Sequence, residues 1–325
     1  MSIEQQLKDD FQQNDKNVVC PPSIDIRVMN AYGERMREEI GVQSMGRRRR
    51  WPKAVMVMLL IAVVSGFAYA GRTLLFEETK GNMTMSAETL EELKLSKAQL
   101  ERISKARNEV KTQLNPGESA VIYLTDLGNV RSLPFIPVSQ PDVNEDLDVW
   151  RKALMDRHFD RMPPESLLGT YRFAGGMELS PFGAYVGSET DSAALLEELK
   201  AESEETGKDL IWRKTSVPAS FPLLTYTTVY RNADQETLYL IMENAPDSKV
   251  KIQSLAPPSA EYEELDLNGH GAHYFKNDAY VYTDSHFYQE ISWMIEQDGE
   301  SIIYRLGSDS PAMTKEQLME AAKNL

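Results

Sequence analysis

The sequence predicts an α+β fold attached to a membrane, with a short helical cytoplasmic tail, one transmembrane helix, and an extracytoplasmic antiparallel-sheet domain with flanking helices. Three observations predict it. Ala54 to Gly71, AVMVMLLIAVVSGFAYAG, is free of charge, and at 1.5 Å per residue it extends about 27 Å, close to the hydrocarbon thickness of a bilayer. The charges sort around that run: residues 1–53 carry ten Lys/Arg and eight Asp/Glu, while the rest of the chain, 54–325, holds 25 bases against 42 acids. Finally, helix-like and strand-like patterns are segregated after Gly71, as in an α+β domain. The expected organisation is 1–53 cytoplasmic and partner-binding, 54–71 transmembrane, 72–169 a helical and linker region, and 170–325 an α+β domain.

The anchor is set by Arg47, Arg48, Arg49, Arg50, Trp51 and Lys53 on one side of the run, against Arg72 alone on the other. The excess of positive charge places the N-terminus in the cytoplasm and the C-terminal domain outside, at the cell membrane. Ala68-Tyr69-Ala70 keeps a competing reading open, since it fits the small-residue pattern of a cleaved export signal, although the preceding charged region would be 53 residues long. Cys20 is the only cysteine, so no disulfide within the chain is available to the outer domain. The acidity of that domain disfavours nucleic acid and anionic lipid surfaces as partners of residues 72–325.

In the tail, Ile3, Leu7 and Phe11 recur every four residues behind a Ser2/Gln5 capping box. After Pro21-Pro22, Ser23 caps a second pattern in which Ile24, Val28, Tyr32, Met36 and Ile40 form an apolar stripe. Two helices in about 40 residues bury too little surface to be stable alone, so the stripe is expected to dock on a cytoplasmic protein or to rest on the inner membrane surface.

Beyond the run, Ser86 to Thr112 carries a helical pattern with a restart at the Ser96/Gln99 capping box, and Asn115-Pro116-Gly117 ends it. Ser119–Leu124 reads as a strand and Val143–His158 as a helix with Leu147, Trp150, Leu154 and His158 on one face. Strands are expected at Thr170–Phe173, Ile211–Thr215, Leu223–Arg231, Leu238–Glu243 and Glu261–Leu267, with a helix near Ala193–Glu204. Ile291, Trp293 and Ile295 alternate with polar neighbours, Asp298-Gly299 turns the chain, and Ile302, Tyr304 and Leu306 alternate back, which is a hairpin. A Thr314/Gln317 capping box opens a closing helix with Leu318, Ala322 and Leu325 inside.

No nucleophile elbow, phosphate loop, H-E-x-x-H or C-x-x-C occurs, so the chain is not expected to be an enzyme, and no cofactor is expected. Ser248 and Lys251 make one S-x-x-K, without a helix to aim them together. His270, His273 and His286, with Asp266 and Asp284 nearby, are of ligand type for zinc, but strand spacing points His270 and His273 to opposite faces, so a Gly-rich strand end with exposed histidines is the preferred account.

The strand ending in Leu267-Asn268-Gly269, the hairpin with Trp293, Gly299 and Tyr304, and the closing segment MTKEQLMEAAKNL, Met313 to Leu325, together resemble a family of unknown function found at the extracytoplasmic C-termini of membrane-bound anti-sigma factors of Gram-positive bacteria. The resemblance covers Leu223–Leu325. It implies a single-pass membrane regulator whose tail sequesters a sigma factor and whose outer domain senses. The tail departs from the zinc-containing anti-sigma pattern, having no His and one Cys. The alternative is a membrane-anchored extracytoplasmic binding module for a lipid, a peptide or a cell-wall fragment.

Overall fold

The structure is a computed structural model that describes residues 55–57, 72–128, 130–157, 159, 161–183, 189–216, 221–246, 248–297 and 300–325. In chain order the strands and helices are β1 (Val55–Val57), β2 (Arg72–Lys80), β3 (Met83–Leu90), α1 (Lys97–Lys111), β4 (Ser119–Leu124), β5 (Ile136–Ser139), α2 (Leu147–Met155), β6 (Ser166–Leu167), β7 (Tyr171–Met177), α3 (Glu189–Thr206) and β8 (Leu210–Thr215). They continue with β9 (Leu224–Arg231), β10 (Thr237–Asn244), β11 (Lys249–Ala256), β12 (Glu261–Leu267), β13 (His270–Asn277), β14 (Tyr288–Gln297), β15 (Glu300–Ser308) and α4 (Lys315–Lys323).

An eight-stranded sheet in the order β12-β13-β14-β15-β10-β9-β7-β6 is the centre of the fold. All of its neighbouring strands pair antiparallel, and β14 and β15 form a hairpin with Trp293 opposite Tyr304. Side chains alternate across a strand, so Ile291, Trp293 and Ile295 share one face with Tyr304, Leu306, Leu240 and Met242. Two helices cover that face. α2 supplies Trp150 and Leu154, and α4 supplies Leu318, Ala321 and Ala322. Both helices are fixed at their starts: Asp146 accepts from the Asp148 and Val149 amides, and Thr314 and Gln317 form a complete capping box.

The opposite face is covered as well, by two smaller sheets. β5-β4-β8 lies between α1 and α3. Ala120, Ile122 and Leu124 face Ile103, Ala106 and Val110 of α1, while Val121 and Tyr123 join Leu199 of α3. The four-stranded sheet β1-β11-β3-β2 packs Met83, Met85, Val250 and Ile252 against Met294 and Ile303. Asn82 fastens it, since its Nδ2 donates to the carbonyls of Ala245 and Ser248, both at 2.7 Å. On its far edge β2 reaches the main sheet through Glu78, whose Oε2 lies 3.0 Å from His273 Nε2, and through Phe76, whose ring stacks on His273 at 3.8 Å.

Several sequence expectations are corrected. Of the described residues 43% lie in strands and 23% in helices, so the fold is mostly sheet and not the α+β class with an antiparallel sheet that was expected. β3 pairs parallel with β11, and β1 pairs parallel with β11 on the other side. Among the described residues no helix is long and apolar enough to cross a membrane. Within the expected span Val55–Val57 is a strand. A continuous apolar run carries no period that separates a helix from a strand, and at Val55 and Val57 the β-branched side chains favour the strand. The helix expected from Ser86 begins only after Ser96, whose capping box is complete; Met83–Leu90, buried on both faces, is a strand. The rest of the expected span and the tail pattern, Ile24 to Ile40, lie outside the described residues.

Candidate ligand pocket

The second face of the main sheet carries polar groups under cover. Alternation sends Tyr239, Ile241 and Glu243 of β10, Tyr288 and Glu290 of β14, and Arg305 and Gly307 of β15 to this side. The register sets Ile241 opposite Arg305 and Glu290 opposite Gly307. Above them lie Ile252 and Ser254 of β11, the segment with Leu93 and Leu95, and the connections carrying Phe182 and Tyr280 to Tyr282. Between these layers is a partly open cavity of about 110 Å³. That is near the size of an apolar cavity able to take a benzene ring, roughly 150 Å³.

The polar wall is a bound triad. Arg305 Nε donates to Glu243 Oε2 at 3.0 Å and its Nη1 donates to Glu290 Oε1 at 2.9 Å, while Tyr288 Oη donates to Glu290 Oε2 at 3.1 Å. All four side chains are buried. Burial pushes the Glu243 carboxyl above its ordinary range, opposed by Arg305. For Arg305 burial works against the charge, and Glu290 and Glu243 more than offset it, so the guanidinium is held charged more firmly than usual. Burial also raises the phenols of Tyr280 and Tyr288, so both are neutral hydrogen-bonding rings.

The apolar wall is aromatic. Phe182 meets Tyr288 at 4.7 Å, Tyr239 at 5.0 Å and Tyr280 at 5.4 Å, each edge to face, and Tyr280 stacks on Tyr288 at 4.9 Å. Gly307 makes this packing possible. A Cβ there would overlap the Tyr288 hydroxyl and stand 2.8 Å from the Gln289 carbonyl oxygen, so only glycine lets Tyr288 lie across the neighbouring strand toward Glu290.

The histidines named from the sequence do not meet. His270 and His273 are on β13, where His270 is exposed and His273 is buried between Glu78 and Tyr262, its Nδ1 3.1 Å from the Tyr262 hydroxyl. His286 sits in the loop before β14 with a positive φ of 54°, its Nε2 3.5 Å from Ser104 Oγ. Asp266 accepts from the Gly269 amide and Asp284 lies beside Arg107, so the two carboxylates are also engaged elsewhere. Among the described residues no group of three or more His, Cys, Asp or Glu is placed to hold a metal. Lys251 of the S-x-x-K pair is on a strand and donates to Glu77. The stripe Ile24, Val28, Tyr32, Met36 and Ile40 and the anchor Arg47 to Arg50, Trp51 and Lys53 lie outside the described residues.

Sequence reasoning missed Glu243, Glu290, Arg305 and the ring set. One signal was present: Arg305 is a lone charge within Ile302 to Leu306, and such a residue in a strand core requires buried partners. Comparison with protein-family models, with curated proteins and with solved structures returns no match.

Proposed function

We propose that the unit described from Arg72 onward is a binding module for a small ligand, seated in the pocket on the second face of the eight-stranded sheet. The observation that carries this is a cavity that combines an aromatic wall with a hydrogen-bonded polar wall at the junction of separate sheets. Pockets of mostly apolar lining with a few fixed polar groups are the common form of small-molecule sites. Saturation-transfer NMR on the full chain with single-ring fragments is the test. Fragments are expected to receive magnetisation from the wild type and to lose it in Ser254→Phe, which fills the cavity from a half-buried position. Fragments that bind equally well to both proteins, or to neither, overturn the assignment.

A regulatory role for the whole chain is the second reading, favoured by the charge asymmetry around residues 54–71 and by the stripe from Ile24 to Ile40. Here the protein is held at the cell membrane with residues 1–53 in the cytoplasm. The tail holds a cytoplasmic protein, a sigma factor on the resemblance described above, and ligand binding on the far side is the input. Replacing Val28, Tyr32 and Met36 with Asp is expected to release the partner in a pull-down from sedimented membranes. Unchanged co-purification, or a protein that does not sediment with membranes, refutes it.

A further inference from the structure

The charges around the cavity select the kind of ligand, given that the unit is a binding module. Arg305 donates its Nε to Glu243 and its Nη1 to Glu290, so two carboxylates face one guanidinium. The described residues lining the cavity include no second cation. Arg107, which lies near Tyr280 and Tyr282, is not among those lining residues; its Nη1 is 3.9 Å from Asp284, and its buried Nε and Nη1 make no hydrogen bond among the described residues. An anion would therefore meet a wall whose only positive group is already engaged, and its approach would be opposed by the unbalanced carboxylate. The rings point the same way. Phe182, Phe275, Tyr280, Tyr282 and Tyr288 all line the space, and the negative ring face attracts an ammonium group lying within about 6 Å of its centre.

We propose that this pocket binds a small organic cation, an ammonium group bearing methyl or other apolar substituents, with the rings taking its apolar surface and the Glu243–Arg305–Glu290 wall supplying the compensating charge. Compact quaternary ammonium groups match both the volume and the lining. The surplus of acids over bases in residues 54–325 raises the local concentration of such ligands near the domain.

The test is titration calorimetry on the full chain in a non-ionic detergent at fixed ionic strength. Three probes of matched shape are used: choline, the neutral 3,3-dimethylbutan-1-ol and the anionic 3,3-dimethylbutanoate. Choline is expected to bind at least tenfold more tightly than the alcohol, and the acid not measurably. Phe182→Leu, which keeps apolar volume and removes a ring, should bring choline and the alcohol to within about threefold. Ser254→Lys adds a positive charge to the cavity lining from a half-buried position, and should weaken choline at least tenfold more than it weakens the alcohol. Equal binding of choline and alcohol, or preference for the acid, overturns the cation while leaving the pocket a binding site. If none of the three binds, the cation is also overturned, and the single-ring fragments then decide separately whether the binding module stands.

Discussion

Replacing Arg305 by methionine is expected to lower the stability of the protein by about 3–5 kcal/mol at neutral pH, the cost of stranding buried charges when one partner is removed. The guanidinium is buried on β15 and joins Glu243 of β10 to Glu290 of β14, so the substitution leaves two carboxylates facing each other across one strand. The loss has a defined pH dependence. Burial already lifts Glu243 above its usual 4.5, and removing the arginine removes the group that opposes the lift. A carboxyl whose folded pKa is raised binds its proton more tightly in the folded state, so its relative contribution is greatest at low pH and is lost as pH rises from the unfolded value through the folded one. The gap between Arg305→Met and wild type should therefore narrow between pH 7.5 and pH 5, as read from urea midpoints. The triple replacement Glu243→Leu, Glu290→Leu, Arg305→Met serves as control, expected at no net cost or more stable by up to about 4 kcal/mol, and without choline binding. A gap of the same size at both pH values would show that the cost comes from lost packing and not from charge.

What the sequence allowed to be seen follows from how each segment meets its neighbours. The hairpin of β14 and β15 and the helix α4 were legible because their signals are local: alternation fixes a face, and Thr314 with Gln317 fixes a helix start. α2 was legible for the same reason, through the spacing of Trp150 and Leu154. The pairing of β3 with β11 was not, since it joins Met83–Thr89 to Val250–Ala256 across most of the domain, and nothing local announces a parallel partner so distant. The pocket was hidden by the rule that exposed the hairpin. A strand that alternates apolar and polar residues has the pattern of a half-buried strand with one solvated face. Here a second layer covers that face over Glu290, Ser292 and Arg305, which turns the polar positions into a buried wall. Only the charges in the middle of apolar strands, Glu243 after Ile241-Met242 and Arg305 after Ile303-Tyr304, recorded that covering.

Gly176→Ala is expected to destabilise the domain by about 3–5 kcal/mol, the sum of a forced overpacking and a stranded hydrogen bond. The glycine lies on β7 opposite Thr228, and its amide and carbonyl are both paired with Asn144 at 2.8 Å, so the backbone is held from two sides. The indole of Trp150 rests on it: a Cβ at this position would overlap the ring itself. The ring cannot easily yield, because its Nε1 donates to Thr228 Oγ1 at 2.8 Å and it packs with Tyr226 in the fully buried cluster beneath α2. An added methyl must displace the indole, which breaks the Nε1 bond and leaves a buried donor and a buried hydroxyl without each other. Trp150→Ala alone should cost about 3–5 kcal/mol through the cavity it opens. In that background the Gly176 methyl enters vacated space, and Gly176→Ala should cost less than about 0.5 kcal/mol, a coupling expected only of residues in direct contact. Urea unfolding of the two single variants and the double variant measures that coupling. A cost for Gly176→Ala that persists without the indole would place the requirement for glycine in the β7 backbone and not in the helix that crosses it.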